Sequence, residues 1–171
     1  MIIDNCAGVY LRQLQIEDTE MIVRWRNHPK VKKNFIYQKD FTKEGHNHWF
    51  KNMLIPGHAI QFVIVEKASN RAIGSVYLRD IDDVNHKAEY GIFIGEIDAQ
   101  GYGYGTTACR LLCQYGFEKL RLHKIFLRVF RDNVAARKSY EKAGFVEEDC
   151  FRDDVCIEGV YRDMVFMARY Q

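Results

Sequence analysis

The sequence predicts one α/β domain of the α+β type, with a mixed, mostly antiparallel sheet flanked by helices. The chain has 171 residues, of which 47% are hydrophobic, and this suits a single compact domain with its own core. Three strand patterns follow one another across short turns, as in an antiparallel meander. Helical patterns precede and follow that meander, and no repeat or linker divides residues 1–171.

The first predicted elements are a strand and two helices. Residues 9–14 alternate between apolar and polar side chains, as a strand does. A helix begins at residue 18 or 19 and ends before Pro29, because proline disfavours helical backbone in the residue before it. A second helix is predicted over 41–54, with Thr42 as its N-cap. Residues at i, i+3, i+4 and i+7 form its apolar face: His46, Trp49, Phe50 and Met53.

The meander and a second set of helices and strands complete the domain. The meander strands are predicted over 59–67, 72–81 and 86–94. An amphipathic helix follows the glycine-rich segment, and Asn133 is a suitable N-cap for another helix that ends at Gly144. The remaining strands are predicted over 123–130, 145–151 and 161–170.

Composition and charge exclude several classes of protein. The net charge of +2, without a Lys/Arg block, argues against a nucleic-acid partner. The sequence shows no signal peptide and no long apolar stretch, so no membrane partner is predicted and a cytoplasmic location is expected. The five cysteines form no CxxC pair and do not cluster with the histidines, so free thiols and no metal site are expected.

The segment QGYGYGT, residues 100–106, is the strongest functional signal. A helix N-terminus exposes unpaired N–H groups that suit phosphate, and glycines let the backbone approach the anion closely. A Walker loop is excluded, because no Lys-Ser/Thr pair follows the glycines. Gly103, Gly105 and Ala108 fit a loose dinucleotide-binding pattern, but that pattern should open a parallel βαβ unit. A nucleotide-cofactor domain and a plain tight turn remain as alternatives.

Placed between a meander strand and a helix, this segment resembles the loop of the GNAT superfamily of acyl-CoA N-acyltransferases. Gln100, Gly103 and Gly105 match the family pattern Gln/Arg-x-x-Gly-x-Gly/Ala. The later segment RDNVAARKSYEKAGF is similar to the family's second block, with its asparagine and its Tyr-x-Lys-x-Gly-Phe ending. The resemblance covers the chain from about Leu11 to the end. It implies a single N-acetyltransferase domain that uses acetyl-CoA and no metal.

The same resemblance implies which residues hold the co-substrate. The loop amides would bind the pyrophosphate, Asn133 the pantetheine arm, and an N–H near Phe93 or Ile94 the thioester carbonyl. Tyr140 would lie near the sulfur and donate a proton to the leaving thiolate; within the matched motif this role is favoured over plain packing between helix and sheet. The implied cofactor-binding residues are Phe93, Ile94, Gln100, Gly101, Tyr102, Gly103, Tyr104, Gly105, Thr106, Asn133 and Tyr140.

Two side chains are candidates for the base that deprotonates the amine. Glu89 lies on the strand beside the expected cleft, where a cross-strand ion pair explains it equally well. His46 lies on an apolar helix face, where a histidine is usually a hydrogen-bonded core residue; it could instead line the acceptor pocket and act near neutral pH. The candidate catalytic residues are Tyr140, Glu89 and His46.

The front half of the chain should choose the amine. RWRNHPKV and KEGHNHWF resemble segments of GNAT members that acetylate nucleotide-linked amino sugars, such as the 4-amino-sugar acetyltransferases of the pseudaminic acid pathway. That resemblance implies a UDP-linked amino sugar as acceptor. The basic residues near the entrance, Arg24, Arg26 and Lys30, could meet its diphosphate. Taken singly, a core tryptophan and solvated arginines are the simpler interpretation. The implied substrate-binding residues are Trp25, Arg26, Asn27, His46 and Trp49.

Other functions remain open. The layout also resembles ribosomal-protein N-terminal and spermidine acetyltransferases; the acidic turn at 80–83 would suit a polyamine, but a polar hairpin turn explains it as well. A non-catalytic acyl-CoA-binding module would keep the loop without the acid and base. Direct attack in a ternary complex is expected, because Cys109 and Cys113 lie along the helix rather than at its start. The strand DMVFMARY would allow a homodimer if it were an edge of the sheet, but a central strand has the same pattern.

Overall fold

Eight strands form one sheet in the computed structural model, which describes residues 1–171. Across the sheet their order is β1-β2-β3-β4-β5-β6-β8-β7, and only the pair β5–β6 is parallel. The strands are β1 (Ile2–Ile3), β2 (Val9–Gln13), β3 (Ala59–Glu66), β4 (Arg71–Asp82), β5 (Lys87–Ile94), β6 (Lys124–Phe130), β7 (Val146–Ile157) and β8 (Val160–Tyr170). The helices are α1 (Thr19–Asn27), α2 (Pro29–Lys32), α3 (Lys43–Trp49), α4 (Tyr104–Glu118) and α5 (Val134–Lys142). The predicted fold class is confirmed.

Local signals account for several element boundaries. His28 is extended before Pro29, as predicted, but the proline then begins the short helix α2 at its first position. The Thr42 hydroxyl accepts a hydrogen bond from the N–H of Gly45 and caps α3, and the Asn133 side chain caps α5 in the same way. The predicted helix over 41–54 is α-helical only to Trp49 and continues as a π-helix over Phe50–Leu54.

The last two strands differ from the prediction. Both are longer than predicted and form a hairpin around a turn at Glu158 and Gly159, two residues with positive φ. The segment DMVFMARY lies in β8, which pairs with β6 on one side and β7 on the other. It is therefore an internal strand, which is the second of the two arrangements that its sequence allows. The edge strand at this end of the sheet is β7.

Helices cover both faces of the sheet, so it has a core on each side. The larger core lies under α4 and α5 and includes Leu112, Leu78 and Ile125, all fully buried. The smaller core lies under α1 and includes Trp25 and Phe93. None of the helices combines the length and the apolar character needed to cross a membrane.

A cleft opens in the middle of the sheet. β5 and β6 pair only over Lys87–Glu89 and Lys124–Phe126. Beyond these residues the two strands diverge, because β6 continues in register with β8 to Phe130 while β5 stays with β4 to Ile94. α4 begins shortly after β5 and α5 shortly after β6, so both helix N-termini flank the opening. This divergence creates the candidate site.

Candidate active site

The backbone between β5 and α4 presents a row of unpaired donors. The N–H groups of residues 101–106 donate to no acceptor within the protein. Gly101 and Gly103 have φ of +90° and +82°, and a Cβ added at either residue would meet no atom within 4 Å. The row combines N–H groups, the positive end of the α4 dipole and open space in front of the glycines. It therefore fits a pyrophosphate, which is the group that coenzyme A would supply.

Side chains of the same segment hold the row in place. The Gln100 amide donates to the Ile94 carbonyl at 3.1 Å, and the Tyr104 hydroxyl donates to Glu66 Oε1 at 2.6 Å. Thr106 shares a hydrogen bond of 2.7 Å with Ser139 of α5, which ties the two helix starts together. Tyr102 is 71% exposed and stacks on the Tyr104 ring. The row is thus anchored at both ends while its N–H groups stay free.

The end of β5 supplies one further donor. The N–H of Gly95 donates to the Ile73 carbonyl of β4 at 2.8 Å. Because successive N–H groups of a strand point to opposite sides, the N–H of Ile94 is directed away from β4, toward the cleft. Phe93 instead packs its ring against Trp25 on the face opposite α4. Of the two residues expected to polarise the thioester carbonyl, Ile94 therefore has the suitable backbone orientation.

α5 forms the opposite wall of the cleft. The Asn133 amide caps this helix through its oxygen and donates through Nδ2 to Asn34 at 3.3 Å. The Tyr140 ring packs edge-on against Tyr90, with centroids 6.1 Å apart. Burial raises the pKa of Tyr140, and the neighbouring Cys109 and Tyr77 raise it further. The phenol is therefore protonated over the working pH range, as a proton donor to a thiolate must be.

A second cavity lies on the other face of the sheet, beside the end of β5. Its volume is about 180 Å³. Tyr77 lines this cavity, and its ring lies against Gly91 of β5, where a Cβ would be 2.2 Å from the ring. The cavity is lined by residues of α1, α3, the loop between them and the sheet: Ile22, Arg26, Phe41, His46, Trp49, Gln61, Tyr77, Arg79 and Phe93.

This cavity brings together three of the five residues predicted to bind the acceptor, namely Arg26, His46 and Trp49. The other two do not line the cavity and make structural contacts instead. Trp25 is 2% exposed and packs in the smaller core, so its ring has no face for a ligand. Asn27 donates to the Phe41 carbonyl at 2.8 Å and accepts from the Phe41 N–H at 2.7 Å, so its amide holds that loop.

The cavity carries excess positive charge. Arg26 pairs with no carboxylate; its guanidinium carbon lies 3.5 Å above the Phe35 ring. Burial lowers the pKa of Arg26, and the nearby charge of Arg79 lowers it further. Arg79 does have a partner, Glu89 at 2.8 Å, which Arg128 approaches at 3.4 Å. No carboxylate lines the cavity itself.

The position of Glu89 bears on its predicted role as base. It lies directly opposite Arg79 in the β4–β5 ladder, and its two oxygens face Arg79 and Arg128. Both oxygens of this carboxylate are therefore engaged by guanidinium groups. The cross-strand ion pair that the sequence allowed is the arrangement that the structure contains.

Sequence reasoning did not identify Tyr77, Arg79 or Gln61 as site residues. They belong to β3 and β4, where strand alternation puts Tyr77 and Arg79 on the same face. The alternation shows that the two side chains share a face of the sheet. It does not show which face holds the acceptor cavity, because that depends on where α1 and α3 pack. Nowhere in the chain do three or more His, Cys, Asp or Glu side chains form a group that could hold a metal ion.

The sequence profile described as "Acetyltransferase (GNAT) domain" matches residues 9–146. The chain belongs to the GNAT acetyltransferase family. The unpaired N–H row at the start of α4 and the divergence of β5 from β6 agree with that membership. The expected family of acetyl-CoA-dependent N-acetyltransferases is therefore confirmed.

Two comparisons with spermidine acetyltransferases cover most of this GNAT chain. It is 30% identical to spermidine N(1)-acetyltransferase of Vibrio cholerae over 90% of this chain and 88% of that one. A crystal structure of a Vibrio cholerae spermidine N-acetyltransferase in complex with CoA and spermine superimposes with a TM-score of 0.88, 28% identity and 96% coverage of both chains. Another structure of a spermidine N-acetyltransferase from Vibrio cholerae, with a TM-score of 0.80 and 27% identity, is described as dodecameric.

Other GNAT relatives bear different names. A putative ribosomal N-acetyltransferase of Bacillus subtilis is 37% identical, but the match spans 56% of this chain and about half, 51%, of that protein. The acetyltransferase PseH of Campylobacter jejuni is 25% identical over 85% of this chain and 89% of that one. The expected similarity to amino-sugar acetyltransferases therefore rests on a distant relative, and the comparisons favour the spermidine alternative.

Proposed function

We propose that this protein transfers an acetyl group from acetyl-CoA to a primary amine of a small molecule, by direct attack in a ternary complex. The row of unpaired N–H groups over residues 101–106 is the observation that carries this proposal. These groups offer hydrogen-bond donors to the pyrophosphate next to the point where β5 and β6 separate. No thiol is placed to act as a nucleophile, since Cys109 and Cys113 are buried along α4.

The residues around the cleft divide the chemistry among them. The N–H of Ile94 hydrogen-bonds the carbonyl oxygen, which gains negative charge during attack. Tyr140, kept protonated by burial, donates its proton to the leaving thiolate. Asn133 turns its Nδ2 donor toward the pantetheine arm once the bond to Asn34 is released. The amine enters from the cavity beside the end of β5, which Tyr77 lines.

Spermidine and related polyamines are the first acceptors to test. The Vibrio cholerae proteins that match most of this chain are spermidine acetyltransferases by name. Two proteins that share a fold and 28–30% identity often catalyse the same reaction on different acceptors. The residues that bind the acceptor differ from those that bind the coenzyme, so they can change independently.

The charge of the cavity favours a second candidate, the nucleotide-linked amino sugar. A buried guanidinium without a counter-ion is costly, and an anionic group on the acceptor would compensate it. Arg26 is such a guanidinium, and no carboxylate in the cavity is available to hold a polyamine. A diphosphate would pair with Arg26, whereas a polycation would be repelled by Arg26 and Arg79.

Release of coenzyme A from acetyl-CoA, followed with a thiol reagent, tests both candidates. Spermidine, a UDP-linked 4-amino sugar and a short peptide are compared with the wild-type protein and with Arg26→Gln. If the sugar nucleotide is the acceptor, Arg26→Gln raises its KM at least tenfold. If spermidine is the acceptor, removing a positive charge leaves its KM unchanged or lowers it. Binding of coenzyme A without turnover of any amine would contradict the proposed enzyme and favour an acyl-CoA-binding module.

We also propose self-association, since a spermidine N-acetyltransferase from Vibrio cholerae forms a dodecamer. The hairpin of β7 and β8 supports this, because it exposes large apolar side chains: Val146, Phe151, Val160 and Tyr161. Light scattering coupled to size exclusion would give the mass in solution. A monomer at micromolar concentration would contradict the proposal.

A further inference from the structure

The hydroxyl of Thr19, at the start of α1, lies among three possible hydrogen-bond partners. It is 2.6 Å from the Ile16 carbonyl oxygen, 2.9 Å from Nδ1 of His46 and 3.4 Å from Oδ1 of Asn47. A hydroxyl has one proton to donate, and a backbone carbonyl can only accept. The short bond to Ile16 therefore takes the Thr19 proton. Nδ1 of His46 must then donate to the Thr19 oxygen, which fixes the neutral imidazole with its proton on Nδ1.

The other ring nitrogen of His46 is consequently a hydrogen-bond acceptor. Nε2 carries a lone pair, and it is buried without a partner in the protein. The side chain is 1% exposed and lines the acceptor cavity together with Arg26, Trp49 and Phe93. The nitrogen atoms of the other side chains in that cavity, such as Gln61, are hydrogen-bond donors. Nε2 of His46 is therefore the nitrogen suited to accept a proton from an incoming ammonium group.

Charged and titratable groups face His46 from each element packed around it. Asp18 approaches from the turn before α1, but its carboxylate is held by Arg12 at 2.9 Å. Arg26 of α1 and both Tyr77 and Arg79 of β4 line the same cavity as His46. Burial lowers the pKa of His46, and the charge of Asp18 only partly opposes this. The imidazole is therefore neutral at pH 7 and free to accept a proton.

We propose that His46 is the base that deprotonates the acceptor amine and that Thr19 is a positioning residue that fixes the reactive tautomer. This inference rests on the proposed function. Nε2 takes one proton from the ammonium, giving an imidazolium and a neutral amine. The amine nitrogen attacks the thioester carbonyl carbon, the C–S bond breaks, and the thiolate receives a proton from Tyr140. The second proton lost by the amine nitrogen returns to the Tyr140 oxygen, and the imidazolium releases its proton to solvent.

His46 is better placed for this role than Glu89. Both Glu89 oxygens face guanidinium groups, whereas Nε2 of His46 has no competing partner. An incoming amine can therefore meet the lone pair of Nε2 without displacing an existing ion pair.

Nitrogen-15 NMR of the imidazoles tests the tautomer on the protein with bound coenzyme A, without any amine. The proposal requires a pyrrole-type shift at Nδ1 and a pyridine-type shift at Nε2 of His46. Thr19→Val, which removes the hydroxyl but keeps the shape, should abolish this preference, while Thr19→Ser should keep it. A proton on Nε2 in the wild-type protein would overturn the proposal, even if the enzyme acetylates amines.

Steady-state kinetics with the amine that the enzyme accepts then show whether Thr19 positions the His46 ring or only stabilises the fold. His46→Gln should lower kcat/KM about 100-fold and remove the acidic limb of its pH profile. Thr19→Val should lower kcat on the order of tenfold with an unchanged KM for acetyl-CoA, by analogy with groups that orient a reactive ring. Thr19→Ser should restore the rate. Equal losses in the Val and Ser variants, or an unchanged pH profile for His46→Gln, would overturn the proposal. Absence of turnover by the wild-type protein would instead refute the proposed function.

Discussion

The indole N–H of Trp25 donates a hydrogen bond of 2.7 Å to Glu96 Oε1, across 71 positions of sequence. Glu96 lies just after β5, where the chain turns toward the glycine-rich row. Arg71 bridges Glu96 to Asp98 at 2.9 and 2.7 Å. The carboxylate of Glu96 therefore connects α1 to the segment that leads from β5 into the N–H row. This contact gives Trp25 a structural purpose in place of the expected contact with substrate.

Trp25→Phe should destabilise the protein by about 2 kcal/mol, because a buried indole loses a hydrogen bond to a charged group. The ring's packing against Phe93 is largely retained. Arg24 is the matched control: it pairs with the same carboxylate, but its side chain is 69% exposed. Arg24→Ala should change the free energy of unfolding by no more than about 0.5 kcal/mol. Urea denaturation measures both, and equal losses would contradict the role assigned to the indole.

Gly103→Ala should weaken coenzyme A binding at least tenfold, about 1.4 kcal/mol. At this residue φ is +82°, and the added methyl group would project into open space before the N–H row, where the pyrophosphate is expected. The substitution also imposes backbone strain of about 1 kcal/mol, which must be separated from the effect on binding. Isothermal titration with coenzyme A measures the affinity.

Gly159→Ala is the matched control for that prediction. Gly159 has the same φ of +82° and also has no atom within 4 Å of an added Cβ, but it lies in the β7–β8 turn. Both variants should therefore lose about the same free energy of unfolding. Only Gly103→Ala should lose affinity. If the two variants bind coenzyme A equally well, the pyrophosphate does not lie on residues 101–106.

Tyr140→Phe should lower kcat about 100-fold and leave the affinity for acetyl-CoA within twofold, because the hydroxyl acts on the leaving group rather than in binding. Tyr90 is the matched control. Its ring packs against Tyr140, and its buried hydroxyl has no partner in the protein. Tyr90→Phe should therefore keep kcat and should not reduce stability. Steady-state kinetics and thermal unfolding of both variants distinguish a chemical role from packing.

The predictable part of this fold consists of features set by near neighbours in the chain. Thr42 and Asn133 were identified as caps because a cap acts within three residues, and both cap as predicted. The meander followed from strand alternation and short turns, and its three strands pair in that order. The glycine-rich segment was recognised because backbone freedom is itself a property of the residue type.

The unpredictable part depends on contacts between distant elements. Nothing near Trp25 in sequence indicates that Glu96 satisfies its indole, or that the residue is a core residue. Arg79 enters the acceptor cavity because α1 and α3 cover one face of β4, which alternation alone does not specify. The change from α-helix to π-helix at Phe50 carries no local signal such as a proline, so the predicted helix over 41–54 was too regular.

The stability of the protein should fall as the pH is lowered from about 7 to 5, and His46 should cause much of that loss. Burial lowers the pKa of His46 in the folded state, while the unfolded chain keeps a value of about 6.5. Above that value both states are neutral and the residue has no effect. Below it the unfolded chain binds a proton that the native imidazole refuses, so unfolding is favoured until the pH reaches the native pKa. Carboxylates such as Asp18 and Glu96, whose pKa values are held below their ordinary range, contribute only under more acidic conditions.

His46→Gln should therefore flatten the dependence of the unfolding free energy on pH over this window, whatever its effect at neutral pH. His48 is the control, because it lies on the same helix but is exposed, and His48→Gln should keep the wild-type slope. Urea denaturation at several pH values measures the slope for each variant. A slope that is the same in His46→Gln as in the wild-type protein would mean that folding does not lower the pKa of His46, and it would contradict this prediction.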